Sequence, residues 1–369
     1  MKKIIILISL ILSLSLFTAC NKDKELEKYS DQFFDTFDTV VDVSVYTENE
    51  KEGQRQLELI KNEFERLNKL FDRYNKYDGI NNFCNVNENA GLAPVKVSPE
   101  AYKLIKDTFT YNKELSNKVD ISIGPVVDLW TKYRDLYNEG KTKEEVKALT
   151  GSYLPTEEAL KALRPLLGMD KIVLNDEESS IYLKEKGMKM DIGAVAKGYA
   201  TELVAQKAIK EGVKHCVISA GGNVRIIGDF PKNDSGKTAF AIGVRNPDVD
   251  ENTNGMDSIS EVLHLNDTSA VTSGDYQRYF DLDGIRYCHI IDPLTLKPAH
   301  DFKSVTIIAK DSGLCDFLST ACFLLPIEEG EKLLKEKNAL GIWIDKDSKT
   351  YMMEGAQELT DRGQKWEII

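Results

Sequence analysis

The segment Asp316-Phe317-Leu318-Ser319-Thr320 places one carboxylate and two hydroxyls within five residues of an otherwise apolar run. On a helix, positions i, i+3 and i+4 share a face, so the three oxygen-bearing side chains form one patch. Such a patch suits a hard cation such as Mg2+, which takes oxygen ligands and fills its other places with water or phosphate oxygens. The same residues admit a second arrangement, in which Ser319 and Thr320 bond back to carbonyls four residues earlier while Asp316 caps the helix or faces solvent.

Three other stretches carry groups that could do chemistry. In "DIGAVAKGYA", Asp191 to Ala200, Gly193 and Gly198 allow close backbone approach and Lys197 brings a positive charge near a helix start. Helix-end amides and a lysine suit a phosphate, although glycine here could equally serve a turn. The segment satisfies neither the GxxxxGK[ST] pattern nor GxGxxG. In "SAGGNVRIIG" and "AVTSGDYQRYF", small residues would let a flat ligand lie against bare backbone, or simply turn the chain between strands. In "RYCHIIDP", His289 is either a base, since a neutral imidazole accepts a proton near pH 7, or the end of a strand. Its own spacing does not decide. Tyr74, in an early turn-rich loop, could stack on an aromatic ring or cover the core.

Several function classes are excluded. The chain of 369 residues carries a net charge of −12, which argues against nucleic acid, whose phosphates need basic neutralisation. The four histidines show no HExxH spacing and the cysteines no CxxC pair, which argues against zinc. Beyond Cys20, the five cysteines read as small core residues rather than a disulfide framework.

The opening MKKIIILISLILSLSLFTAC has the form of a secretory signal, with two lysines, an apolar run and a small-residue step into Cys20. Its end resembles a bacterial lipobox, which implies cleavage after residue 19 and a lipid on Cys20; ordinary secretion with cleavage nearby is the alternative. Loss of Lys2 and Lys3 with this leader takes the net charge from −12 to −14. Residues 20–30 then form a polar tether and 31–369 one domain.

These groups need elements to hold them. Phe37 to Tyr46 alternates as a half-buried strand, and Leu57, Ile60, Phe64, Leu67 and Phe71 recur at helical spacing. Ser98-Pro99 opens another helix, and residues 141–167 form a lysine- and glutamate-rich helical stretch. "IYLKEKGMKMDIG" reads as a hairpin running straight into the helix that carries Lys197. Strands follow, with a hairpin turn at Asp283-Gly284, and then the helix "LCDFLSTACFLL". Helices and strands interleave without a dividing linker, which predicts one continuous α/β (mixed α+β) unit with two lobes around a cleft.

In order, Phe37-Asp38-Thr39, "VDISIGPVVDLW", "DIGAVAKGYA", "SAGGN", "TSGDYQRYF", "HIIDP" and "DFLSTA" resemble the ApbE family, the FAD:protein FMN transferases, over residues 31 to 350. The resemblance implies an ApbE-like (T-fold-like) domain with a flavin-binding cleft. It further implies Mg2+-dependent cleavage of FAD, transfer of FMN to a threonine or serine hydroxyl of a target protein, and release of AMP. By the same analogy, the carbonyl of Ala194 with Asp316 and Thr320 would hold the metal, with Ser319 as a neighbour. Phe37, Tyr74, Val119, Asp120, Ile121, Asp191 and Lys197 would contact FAD. His289 or Ile290 would lie beside the flavin phosphate, His289 as general base. The acceptors implied are membrane or extracellular redox flavoproteins, reached from a lipid anchor outside the bacterial cell membrane by a monomer or homodimer. Hydrolysis of free FAD to FMN and AMP is the alternative reaction, and flavin capture without catalysis the alternative role. Two positions depart from the family pattern: Asn223 follows the glycine pair where aspartate is frequent, and Leu296 stands where glycine is usual.

Overall fold

A computed structural model describes residues 25–232, 236–249, 255–361 and 366–369. The leader 1–19 and Cys20 lie outside them. Among the described residues, nine strands form one sheet: β1 (Glu27–Thr36), β2 (Thr39–Thr47), β3 (Cys216–Ala220), β4 (Asn223–Ile227), β5 (Ser269–Gly274), β6 (Phe302–Ala309), β7 (Leu340–Asp345), β8 (Thr350–Met352) and β9 (Glu367–Ile368). Their order across the sheet is their order along the chain, so the sheet is a meander with everything else inserted between its strands. All pairings are antiparallel except β8 with β9. The mixed α+β description therefore holds, and the parallel sheet of a strict α/β protein does not.

Alternation along the central strands builds two cores. Val305 and Ile307 of β6 and Val271 of β5 face three helices, α1 (Glu50–Phe71), α2 (Ala196–Lys210) and α3 (Ser312–Phe323). Ile308 and Ala270, one residue away, face the hairpin Phe240–Arg245/Ile259–Leu265 on the other side. The expected stripe of Leu57, Ile60, Phe64, Leu67 and Phe71 is the buried face of α1. Each such side chain taken out of water contributes about 1.5–3 kcal/mol. Asn49 caps α1 by accepting from the Glu52 N–H, and the chain turns extended at Asp72, which delivers Arg73 and Tyr74 beyond the helix end.

A third core makes a smaller lobe. Val126, Trp130 and Tyr133 of the helix Gly124–Asn138 pack with Phe280 and Leu282 of the hairpin Tyr279–Leu282/Ile285–Cys288 and with Leu296. Asp283 and Gly284 both take positive φ at its tip, as the expected tight turn requires. All five described cysteines are free and buried.

Three boundaries differ from the sequence reading. β1 starts at Glu27 and pairs with β2 from Glu27↔Thr47 onward, so the domain begins inside the expected tether of 20–30. Phe37 is no strand residue: with Asp38 it forms the two-residue turn between β1 and β2, both at positive φ. The "IYLKEKGMKMDIG" hairpin is absent, because Ser180–Leu183 pairs backward with Ile172–Asn175, and Lys189 bridges to Ile123 instead.

Candidate active site

Between the sheet's helical layer and the smaller lobe lies a cleft of about 1700 Å³. Pockets for drug-sized ligands measure roughly 300–1,000 Å³, so this one has room for a ligand of dinucleotide size. Two sheet turns meet at its wall. Gly221, at φ +54°, starts the β3–β4 turn, and a Cβ there would collide with the Thr39 side chain at the β1–β2 turn, so the residue type permits the two turns to touch.

The deep wall is made where α2 crosses α3. Gly198 is the contact point: a Cβ would land on Asp316 and on the Ser312 carbonyl. Without one, its N–H donates to Asp316 Oδ2 at 2.7 Å. A first-turn amide of α2 thus serves a protein carboxylate, where the sequence left such amides open between a phosphate and a turn. Burial pushes the Asp316 carboxyl up, opposed by the Lys197 ammonium, the Gly198 N–H and the Asn223 amide. Burial likewise pushes Lys197 down, Asp316 opposing and Arg278 adding to it. Its Nζ lies 3.5 Å from the Gly221 carbonyl. Asn223 is buried against this pair, and neither of its amide atoms has a partner in hydrogen-bond geometry.

On α3, Asp316 and Thr320 line the cleft and Ser319 does not. Fully buried, the Ser319 hydroxyl donates to the Asp316 carbonyl at 3.0 Å and meets Ser273 Oγ at 2.8 Å. It is thereby committed to holding β5 against α3. Thr320 has only a 3.4 Å contact with Ser273. Ala194 lines the cleft beside Lys197. Among the described residues, no cluster of three or more His, Cys, Asp or Glu side chains could hold a metal. The oxygen set of Asp316, Thr320 and the Ala194 segment fits a hard cation shared with substrate phosphates, which one or two carboxylates suffice to bind.

His289 lines the same cleft as Lys197. Its backbone N–H donates to the Arg278 carbonyl at 2.9 Å, and its Nδ1 is enclosed without a hydrogen-bond partner. Burial, followed by the charges of Lys197 and Arg278, pushes the imidazole down to about 3. The ring is neutral and has a free nitrogen. Ile290 also lines the cleft, although its side chain is mostly in the core.

The opposite wall comes from the end of α1. Tyr74 is 60% exposed, and the Arg73 guanidinium lies 4.8 Å from its ring centre. Arg73 is nearly buried and pairs with both Asp191 and Asp128. Asp191 also accepts from the Gly193 N–H at 2.8 Å, so both its carboxylate oxygens have protein partners. Phe37 lines the rim, its N–H held by Asn68 Oδ1 at 2.8 Å and its ring edge-on to Phe64 and Phe71. Val119, Asp120 and Ile121 border the cleft, but the Val119 and Ile121 side chains are in the core, and the Asp120 carboxylate accepts from Ser122 N–H and Oγ.

Arg73, Asp128, Ser273 and Arg278 belong to this constellation and escaped the sequence reading. Arg73 reaches Asp191 across 118 positions, and Arg278 reaches Asp38 across 240. The one local signal was adjacency: Arg73 precedes Tyr74, and Arg278 lies within "TSGDYQRYF".

The profile described as "ApbE family" matches residues 37–343. The chain is similar to the FAD:protein FMN transferase of Haemophilus influenzae, 29% identical over 351 residues that cover 93% of each chain. It is 31% identical to that of Treponema pallidum over 274 residues, 71% of this chain and 70% of that one. The crystal structure of the ApbE protein from Thermotoga maritima superposes with a TM-score of 0.73 at 26% identity, covering 91% of this chain and all of the other.

Proposed function

Since the chain belongs to the ApbE family, we propose that it is an FAD:protein FMN transferase, moving FMN from FAD to a threonine or serine hydroxyl of an acceptor flavoprotein and releasing AMP. The observation that carries this reading is the convergence of Lys197, Asp316, His289 and Tyr74 on one cleft large enough for a dinucleotide. The acceptor oxygen attacks the phosphorus next to the flavin. The bond from that phosphorus to the pyrophosphate bridging oxygen breaks, the oxygen leaves with AMP, and the acceptor's proton passes to a base.

His289, which lines the cleft, is that base. Its low basicity in the free cleft comes from burial and from Lys197 and Arg278. Substrate phosphates neutralise those two cations and so raise the imidazole toward the range in which it can accept a proton. Lys197 meets the phosphates, and Tyr74 offers an open aromatic face for a ring of the ligand. Arg73 keeps Asp191 and the Tyr74 ring in place. Mg2+, held by Asp316, Thr320 and the Ala194 carbonyl, would neutralise charge on the pyrophosphate. Asp316 is fixed for this by the Gly198 N–H, and Ser319 by its two bonds fixes the helix turn between Asp316 and Thr320.

The enzyme works outside the cytoplasmic membrane, anchored by a lipid on Cys20, on membrane or extracellular redox proteins. The leader's form and the lipobox-like residues support this. The test is to incubate the protein with FAD, Mg2+ and a candidate acceptor domain and view a denaturing gel for flavin fluorescence. A fluorescent acceptor band, lost with EDTA, is the expected result. AMP release with a dark acceptor would replace the transferase by an FAD hydrolase, and intact bound FAD without AMP across all acceptors would leave flavin capture.

A further inference from the structure

A pyrophosphate diester carries two negative charges, and Lys197 supplies one cation. A second stands nearby. Arg278 lines the same cleft and holds the His289 backbone through its carbonyl. Its guanidinium, 44% exposed, has two long contacts, both with Asp38: 3.6 Å to the carboxylate Oδ2 and 3.4 Å to the carbonyl oxygen. Charge-assisted bonds of the strong kind are about 2.7–2.9 Å, and exposed pairs longer than this add little to stability. The positive charge of Arg278 nevertheless adds to the lowering that burial imposes on Lys197 and His289, and opposes the rise that burial imposes on Tyr74. Arg278 lines one cleft with these three groups. Asp38, 76% exposed at the tip of the β1–β2 turn, is rehydrated easily when the contact opens.

We infer that Arg278 is a second phosphate-binding residue of the cleft, and that Asp38 holds its guanidinium across the cleft mouth until the substrate's pyrophosphate takes it over. The planar fork of arginine can bind one phosphate through two parallel N–H···O bonds, which the Asp38 geometry does not use. The inference rests on the functional reading above and adds to it how the pyrophosphate is recognised. It predicts that the mouth is bridged when the cleft is empty and unbridged when it is filled.

The experiment is equilibrium titration of the full chain with FAD, FMN and riboflavin, followed by flavin fluorescence, for the unaltered protein and for Arg278→Ala, Arg278→Lys and Asp38→Asn. Loss of one charge-assisted phosphate contact weakens binding by about tenfold to a hundredfold. Arg278→Ala should therefore lose FAD affinity by that factor and riboflavin affinity hardly at all, with Arg278→Lys intermediate. Asp38→Asn should tighten FAD binding severalfold at low salt, and the gain should shrink as salt rises. Equal losses for FAD and riboflavin in Arg278→Ala, or no loss for either, would overturn the inference and leave the transferase reading intact. Failure of the unaltered chain to prefer FAD over riboflavin would overturn both.

Discussion

On the deep wall of the cleft, Asp316 is 5% exposed, takes its hydrogen bond from a helix amide, and sits on a helix crossing with no room for another methyl group. At the rim, Tyr74 is 60% exposed, and Arg278 meets Asp38 only through long contacts. On the wall, the Asp316 carboxylate and the Ser319 hydroxyl are tied into the core; at the rim, Tyr74 and Arg278 face open space, Arg278 with a partner it can leave. A site built this way separates chemistry from capture. Groups that must stay fixed through bond breaking are part of the core, and groups that must admit a large ligand are not. Substitutions in the wall should therefore alter turnover or folding, and substitutions at the rim should alter affinity alone.

The sharpest break would come at Asp316. Replacement by Asn keeps the shape and removes the charge, and kcat should fall by about 10²–10³-fold with little change in KM, as for loss of a main electrostatic group. Steady-state kinetics on a fluorescent acceptor would show this, and a change confined to KM would erase the distinction between wall and rim. Next is Gly198→Ala, which overpacks the α2–α3 crossing; such insertions cost about 1–3 kcal/mol, measurable by denaturant unfolding, and kcat should drop with it because Asp316 must shift. At the rim, Tyr74→Ala should raise KM for FAD by about tenfold, the scale of a lost ring stack, without moving Tm. A Tm loss would mean that Tyr74 belongs to the core after all.

A separate effect is that of pH on stability. The fold holds the His289 imidazole well below its ordinary value, at about 3. The folded state thus binds fewer protons than the unfolded one as pH drops, so stability is intact above the ordinary imidazole range and is lost as pH falls through it toward 3. His289→Gln removes this liability. Denaturation at pH 7.5 and 4.5 should show the variant gaining on the unaltered protein at the lower pH, and a gap independent of pH would place the imidazole in open solvent.

Much of the wall was legible in the sequence because it follows helical period. Asp316 and its hydroxyls stood out as one patch on an apolar helix, and the period also explains why Ser319 turns away from the cleft. From Asp316, position i+3 lies about 60° to one side and i+4 about 40° to the other, so a cleft edge falling between them admits Thr320 and sends Ser319 to Ser273. The rim was nearly illegible. Arg73 with Asp191 and Arg278 with Asp38 are contacts made by folding, and neither partner marks the other along the chain. β1 was missed because an edge strand shows little alternation: in EKYSDQFFDT, Phe33 and Thr36 are the buried residues among the described side chains. Leu296 departs from the glycine of the family pattern and still takes the positive φ, at +62°, which glycine would adopt without strain. Its side chain is 1% exposed in the small lobe's core, so packing offsets the backbone cost.

The direction of β1 also sets a spacing. The strand starts at Glu27, where the chain from Cys20 arrives, and ends at the Phe37–Asp38 turn on the cleft rim. Ten residues of strand span about 33 Å. Were Cys20 lipidated, as proposed, and the strand upright on the bilayer, the cleft mouth would lie roughly that far above its Glu27 end. An acceptor hydroxyl lying flush with the membrane would be out of reach in that posture, whereas one carried on a domain projecting a comparable distance would meet it directly.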